Sequence, residues 1–139
     1  MKRELVTALY CRTARQSEQG IENQETMLRR YAENNNHGNV VVYADNGYSG
    51  VSLDRPGLRQ LKADVNAGLV GIVLVKDVNR ISRNFIQLAQ LLNKLKKKSV
   101  TVKSVLDGFD FEERVSEMKA MRKALNKFYS MSRKRKKAV

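Results

Sequence analysis

The sequence has no tryptophan, one cysteine, one histidine and one proline, and aromatic residues make up 6% of its 139 positions. With Cys11 alone, no disulfide framework can staple the fold within one chain. Cys11 and His37 are too few to build a common zinc site, so no metal is expected. His37, in the polar run Asn34-Asn35-Asn36-His37-Gly38, reads as a solvated loop residue. So few aromatics argue against stacking platforms for single-stranded nucleic acid. There is no secretory segment and no apolar run of about 18 residues, which predicts a cytoplasmic protein with no membrane partner. Acidic residues are scarce as well. The balance of 14 Asp+Glu against 27 Lys+Arg leaves a net charge of +13, which points to a polyanion, with duplex nucleic acid first.

What is present alternates. An apolar-rich stretch from Glu4 to Tyr10 predicts a first strand. A helix starts near Ser17 or Gly20, with Ile21, Met27, Leu28 and Tyr31 at helical spacing, and Gly38 ends it. Val40 to Tyr43 predicts a second strand, and Asp45-Asn46-Gly47-Tyr48-Ser49-Gly50 a turn-rich loop. Asp54 or Arg55 then sits near a helix cap, with Pro56 in the first turn, Leu58, Leu61 and Val65 on the apolar face and Gly68 as terminator. Gly71 to Val75 is a third strand, Phe85 to about Lys98 a helix, and Val100 to Val105 a fourth strand. From Glu112 to about Lys134, the residues Val115, Met118, Met121, Leu125, Phe128 and Tyr129 describe one long amphipathic helix. The predicted fold class is α/β, a mostly parallel sheet of four to five strands with helices on both faces. The predicted division is an α/β domain over 1–110 and a long helix with a basic tail over 111–139.

The turn after the third strand, Asn79-Arg80-Ile81-Ser82-Arg83-Asn84, is the most suggestive stretch. Ligand crevices of open α/β sheets lie at the carboxyl ends of strands. Arg80 and Arg83 stand close to one helical turn apart, so both guanidiniums can face one way and grip a phosphate, or simply sit in solvent. The topology gathers Arg12, Arg55, Arg80 and Arg83 at one edge, with Asp45 nearby. Converging arginines suit a phosphoryl group in transfer. No glycine-rich loop of the kind that cradles nucleoside triphosphates occurs, so the phosphate is expected in a DNA backbone.

Five pieces occur in order: Tyr10-Cys11-Arg12, Gly20-Ile21-Glu22-Asn23-Gln24, Tyr48-Ser49-Gly50, Leu53-Asp54-Arg55-Pro56-Gly57-Leu58 and Asn79-Arg80-Ile81-Ser82-Arg83-Asn84. Together they resemble the catalytic domain of the serine site-specific recombinases, the resolvase/invertase family and its large-serine branch, over almost the whole chain. The resemblance implies a serine hydroxyl that attacks a DNA phosphodiester, a 5′-phosphoserine link with a free 3′-hydroxyl, strand exchange and resealing. It implies no metal or nucleotide cofactor, and double-stranded DNA bound by homodimers that become tetramers during exchange. It assigns the scissile phosphate to Arg12, Arg55, Arg80 and Arg83, and supporting roles to Gln24 and Asp45. The long helix would pack subunits and run its basic end, Arg133, Lys134, Arg135, Lys136 and Lys137, onto DNA; such a charge run can equally be solvated. Integration, inversion and resolution all lie within the resemblance. It also implies a separate DNA-reading module, and nothing in the 139 residues resembles a recognition helix.

Two positions depart from the family pattern. Where the nucleophilic serine is expected the chain has Ala14, and where the family usually places Asp before the first arginine of the pair it has Asn79, which keeps the shape and loses the charge. Ala14 is an introduced change, a natural loss in a relative that binds without cutting, or a change compensated by Thr13 or Ser17. Strand alternation turns Thr13 away from Arg12 and position 14, and Ser17 suits an N-cap. Cys11 has Ser17, not arginine, six residues on, which does not fit a cysteine phosphatase. The expectation is a recombinase catalytic domain that is inactive in cleavage as written. The alternatives are a non-catalytic DNA-binding or partner-binding relative, and a basic surface for RNA or membrane.

Overall fold

The structure, a computed structural model, describes residues 4–106, 108 and 111–137, with the side chains at 111–115, 118 and 132–137 outside the description. The side chains of Arg133, Lys134, Arg135, Lys136 and Lys137, expected on DNA, therefore lie outside the described residues. The chain divides into two units, Met1–Phe109 and Asp110–Val139.

In the first unit, β1 (Val6–Thr13) is buried on both faces along nearly its whole length, as a central parallel strand should be. It pairs in parallel with β2 (Val40–Asn46) on one side and β3 (Val70–Val75) on the other, and β3 pairs with β4 (Thr101–Ser104). The order is β2-β1-β3-β4, four strands, all parallel. Three helices connect them: α1 (Glu18–Asn34), α2 (Pro56–Asn66) and α3 (Phe85–Lys97). Right-handed crossovers place α1 on one face and, because the chain turns back across the sheet after β2, α2 and α3 on the other. On the α1 face, Leu9, Cys11 and Leu74 of the sheet close on Leu28 and Ala32 of the helix. Burying each such side chain stabilises the fold by about 1.5–3 kcal/mol.

Each helix start has a local cause. Ser17 caps α1, its Oγ accepting from Gly20 N at 3.0 Å. Asn84 caps α3, its Oδ1 accepting from Ile86 N and Gln87 N at 3.0 and 3.2 Å. Arg55 stands at the cap of α2 but makes no side-chain cap bond; the acceptor comes instead from Asp45, at the end of β2. β1 runs past Tyr10, where the apolar pattern ends, to Thr13. Ladder pairing of Arg12 with Asp45 and Thr13 with Asn46 extends the strand through polar residues that the pattern reads as loop.

The second unit is one helix, α4 (Phe111–Lys137). Met121, Leu125, Phe128 and Tyr129 are exposed along it, and the rings of Phe128 and Tyr129 meet edge-on at 5.9 Å. No described helix is long and apolar enough to cross a membrane.

Candidate phosphate-binding site

The strand order reverses between β1 and β3, since the chain leaves β1 for β2 on one side and β3 for β4 on the other. Ligand crevices of open α/β sheets lie at such a switch point, at the carboxyl ends of the strands. β1 delivers Arg12 there, and the 3₁₀ turn Val78–Arg80 follows β3.

Period-two alternation puts Tyr10 and Arg12 on one face of β1, and parallel register puts Asp45 beside Arg12 on β2. All three are buried, as is Arg55. Arg55 Nη1 donates to the Tyr10 hydroxyl at 2.9 Å, and that hydroxyl donates to Asp45 Oδ2 at 2.7 Å. Asp45 Oδ1 accepts from Gly57 N at 2.7 Å and Oδ2 from Leu58 N at 3.0 Å, so the carboxylate sits at the positive end of α2. Burial, then the bond to Asp45, holds the Tyr10 hydroxyl protonated far above its ordinary range.

Arg12 is 1% exposed, and its guanidinium ties three loop carbonyls: Nε donates to Arg80 O at 2.8 Å, Nη1 to Tyr48 O at 2.8 Å and Nη2 to Asn79 O at 2.7 Å. Burial, then the neighbouring Arg55 charge, lowers its pKa. Arg55 Nη1 also donates to Arg80 O at 3.0 Å, and its Nη2 to Ile81 O. Gln24 braces the strand from α1: its Oε1 accepts from Arg12 N at 3.1 Å and its Nε2 donates to Arg12 O at 2.9 Å. Arg80 Nη1 donates to that same carbonyl at 3.1 Å, and its Nε lies 3.5 Å from Asp77 Oδ2.

Arg80 and Arg83 do different work. Arg80 is half-buried and tied to β1, while Arg83 is exposed and its side chain has no hydrogen bond or ion pair among the described residues. Its backbone N donates to Gly50 O at 3.0 Å. A Cβ on Gly50 would fall 2.7 Å from Arg12 Nη2 and 3.0 Å from Arg83 Cγ, so the glycine lets that loop close over the arginines. Asn79 is exposed and contributes its carbonyl. Ala14 is exposed immediately past the end of β1.

The two other hydroxyls near position 14 are committed elsewhere. Thr13 Oγ1 donates to Asn46 Oδ1 at 2.8 Å, an oxygen that also accepts from Ser17 N at 2.7 Å, and Ser17 Oγ is the α1 cap. No cluster of metal ligands is present among the described residues.

The structure thus brings Arg12, Arg55, Arg80, Gln24 and Asp45 into one hydrogen-bonded network, with Arg83, Asn79 and Ala14 exposed. Sequence reasoning gave no site role to Tyr10 or Asp77, or to the carbonyls of Tyr48 and Ile81. The signal for Tyr10 was available, because it stands two residues before Arg12 in a strand and shares its face. The carbonyls had no signal, since any residue supplies one.

Residues 7–138 match the family model "Resolvase, N terminal domain". A protein of Bacillus subtilis (strain 168) described as "Putative DNA recombinase" is 32% identical over 89 residues, 64% of this chain. The chain spans only 18% of that relative's length. The N-terminal catalytic domain of TP901-1 integrase is 26% identical, with a TM-score of 0.74 over 88% of this chain and 95% of that one. The fold is shared further with the C-terminal catalytic domain of ISC1926 TnpA, an IS607-like serine recombinase, at 24% identity and a TM-score of 0.66 over 84% and 79% of the two chains. A resolvase family site-specific recombinase from Streptococcus pneumoniae shares it too, at 22% identity and 0.66 over 94% and 98%. With its family model matched almost from end to end, the chain belongs to the resolvase N-terminal domain family.

Proposed function

We propose that the chain is the catalytic-type domain of a site-specific DNA recombinase that holds a phosphodiester of duplex DNA at the crevice between β1 and β3. The observation that carries this reading is the interlocked Arg12–Arg55–Arg80 network, with Arg83 exposed and unpaired among the described residues. Arg83 and the outer face of Arg80 offer free N–H donors in the planar fork that suits phosphate oxygens. Arg12 and Arg55 position the loops that carry them. Phosphate would relieve the mutual repulsion of these cations, which the buried Asp45 offsets only in part.

In the reaction of the family, a serine Oγ at position 14 bonds to phosphorus as the 3′-oxygen leaves and takes a proton, giving a 5′-phosphoserine and a 3′-hydroxyl. Reversal by the 3′-hydroxyl of a new partner strand reseals the DNA and frees the serine. Ala14 has no oxygen for this step. Thr13 and Ser17 are held by Asn46 and by the start of α1, so the chain as written binds the backbone without cutting it. Recombination by homodimers and tetramers belongs to this reading as well.

The test is Ala14→Ser. Incubated with supercoiled plasmid and stopped with detergent, the serine variant is expected to leave covalent protein–DNA adducts at 5′ ends, and the chain as written none. Adducts formed with Ala14 in place would overturn the assignment of position 14. Ala14 and Asn79 together favour a second reading, a relative that keeps the fold and binds DNA without chemistry. In that case the serine variant binds duplex DNA in a salt-dependent manner and forms no adduct.

A further inference from the structure

Asp77 stands between the end of β3 and the 3₁₀ turn Val78–Arg80, where an aspartate ordinarily caps a helical turn. Its carboxylate makes no cap bond, and the backbone alone closes the turn, with Arg80 N donating to Asp77 O at 3.1 Å. The side chain, 20% exposed, lies instead against the guanidinium of Arg80, with Oδ2 3.5 Å from Nε. Among the described residues this is the one ion pair made by Arg12, Arg55, Arg80 or Arg83. Asp45 is hydrogen-bonded to them only by way of the Tyr10 hydroxyl, and Asn79, one residue before Arg80, carries no charge.

The pair is close without being closed. Asp77 Oδ1 and Arg80 Nε are both buried, and neither has a hydrogen-bond partner among the described residues. Leaving a buried donor and a buried acceptor unmade is costly, and closing the 3.5 Å gap satisfies the donor. The rest of Arg80 shows what closure would serve. Nη1 donates to Arg12 O at 3.1 Å, and Nη2 has no partner among the described residues. With Nη1 on β1 and Nε on Asp77, the planar guanidinium is fixed at two corners and the third is left for an anion. Hydrogen bonds of this kind are often long in an unliganded site and tighten in the complex.

We propose that Asp77 is a positioning residue, which holds Arg80 by Nε so that Nη2 meets the DNA phosphate, and that the ion pair closes to a hydrogen bond when the phosphate is bound. The proposal rests on the phosphodiester reading of the crevice. Its sign sets it apart from bulk charge. On a chain of net charge +13, removing a carboxylate should leave DNA binding unchanged or stronger, whereas removing this one is expected to weaken it.

The probe is a short fluorescein-labelled DNA duplex, titrated with the full chain at several salt concentrations and read by anisotropy. Asp77→Asn is expected to bind about tenfold more weakly, a loss of about 1.4 kcal/mol, with the salt dependence lowered by about one phosphate contact. Glu33→Gln, the same charge change on an exposed residue in the last turn of α1, is expected to bind as well as the unaltered chain or better. In a chain already carrying Arg80→Ala, adding Asp77→Asn should cost nothing further, because Asp77 acts through Arg80. Thermal melts check that each variant is folded. A second reading needs no change at position 77: the Arg80 Nε–H signal in ¹⁵N-edited NMR, assigned by its loss in Arg80→Lys, should move downfield in the unaltered chain as duplex is added. If the unaltered chain binds no duplex, the phosphodiester reading fails by itself, and the hold of Asp77 on Arg80 is still decided by that proton, which should exchange with water more slowly than in Asp77→Asn. Three results would overturn the proposal: Asp77→Asn binding as tightly as the unaltered chain, an undiminished loss in the Arg80→Ala background, or an Nε–H signal indifferent both to duplex and to position 77.

Discussion

Arg12 and Arg80, 68 residues apart, each donate a guanidinium hydrogen bond to the other's backbone carbonyl, at 2.8 and 3.1 Å. The end of β1 and the turn after β3 are thereby one unit, and Gln24 holds the same carbonyl of Arg12 from α1. The Arg12 charge is fixed by neutral backbone acceptors, and Arg80 by one such acceptor with Asp77 beside it. Among the described residues no carboxylate forms an ion pair with Arg12.

Arg12 and Arg83 should separate stability from binding. Arg12→Ala leaves the carbonyls of Tyr48 and Asn79 without this donor and is expected to cost about 3 kcal/mol in urea denaturation. Arg83→Ala touches no internal bond and should stay within about 0.5 kcal/mol. It should nonetheless weaken duplex DNA binding and lower its salt dependence by about one phosphate contact. Equal loss of stability in both variants would contradict the division.

Asp45→Asn replaces a buried carboxylate that accepts from Tyr10, Gly57 and Leu58. An amide keeps one acceptor oxygen and turns an N–H₂ toward donors, so about 2–4 kcal/mol should be lost. Hydrogen exchange should rise first at one of Gly57 and Leu58, the amide left facing the new N–H₂, because the two use different oxygens of Asp45.

Two glycines should respond differently to alanine. At Gly57 the new Cβ meets the backbone oxygen of Ala44 at 2.7 Å, which cannot swing aside, so a loss of about 1–3 kcal/mol is expected in thermal or urea unfolding. At Gly50 it meets Arg12 Nη2 at 2.7 Å, on a guanidinium pinned by three carbonyls, and Arg83 Cγ at 3.0 Å, on an exposed side chain that can turn. Gly50→Ala should therefore lower DNA affinity as well as stability, whereas Gly57→Ala lowers stability alone.

Cys11 gives a pH signature. Burial pushes its thiol up from 9.0 to about 12, so the folded chain keeps a proton that the unfolded chain has lost across that window. The unfolded state then binds fewer protons than the folded one, and stability falls as pH rises from 9.0 to about 12. Tyr10 and Tyr43, also raised by burial, steepen the fall. Thermal melts of Cys11→Ala should show a shallower slope in the same window, and thiol reagents should fail to label the folded protein at pH 8.

Most of the architecture was legible in periodicity. Leu88, Leu91, Leu92 and Leu95 announce α3, Leu58, Leu61 and Val65 announce α2, and the apolar runs at 70–75 and 40–43 announce parallel strands, because a face that must be buried leaves a repeat in the chain. Ser17 was readable as a helix start because a cap acts within three residues of itself.

The end of β1 was harder. Arg12 and Thr13 look like loop residues, and only ladder pairing with Asp45 and Asn46 keeps them extended. The acceptor at the start of α2 was invisible for a similar reason, since Asp45 reaches Gly57 across 12 positions.

The sequence by itself determined the alternation of strands and helices, the excess of positive charge, the ordered motifs that mark the family and the alanine at position 14. Tertiary structure alone decided which arginines are buried and which remain free. A guanidinium is satisfied by carbonyls that every residue carries, and Arg12 finds its own 36 and 67 positions away. No local pattern can encode a partner that only the folded sheet brings within reach.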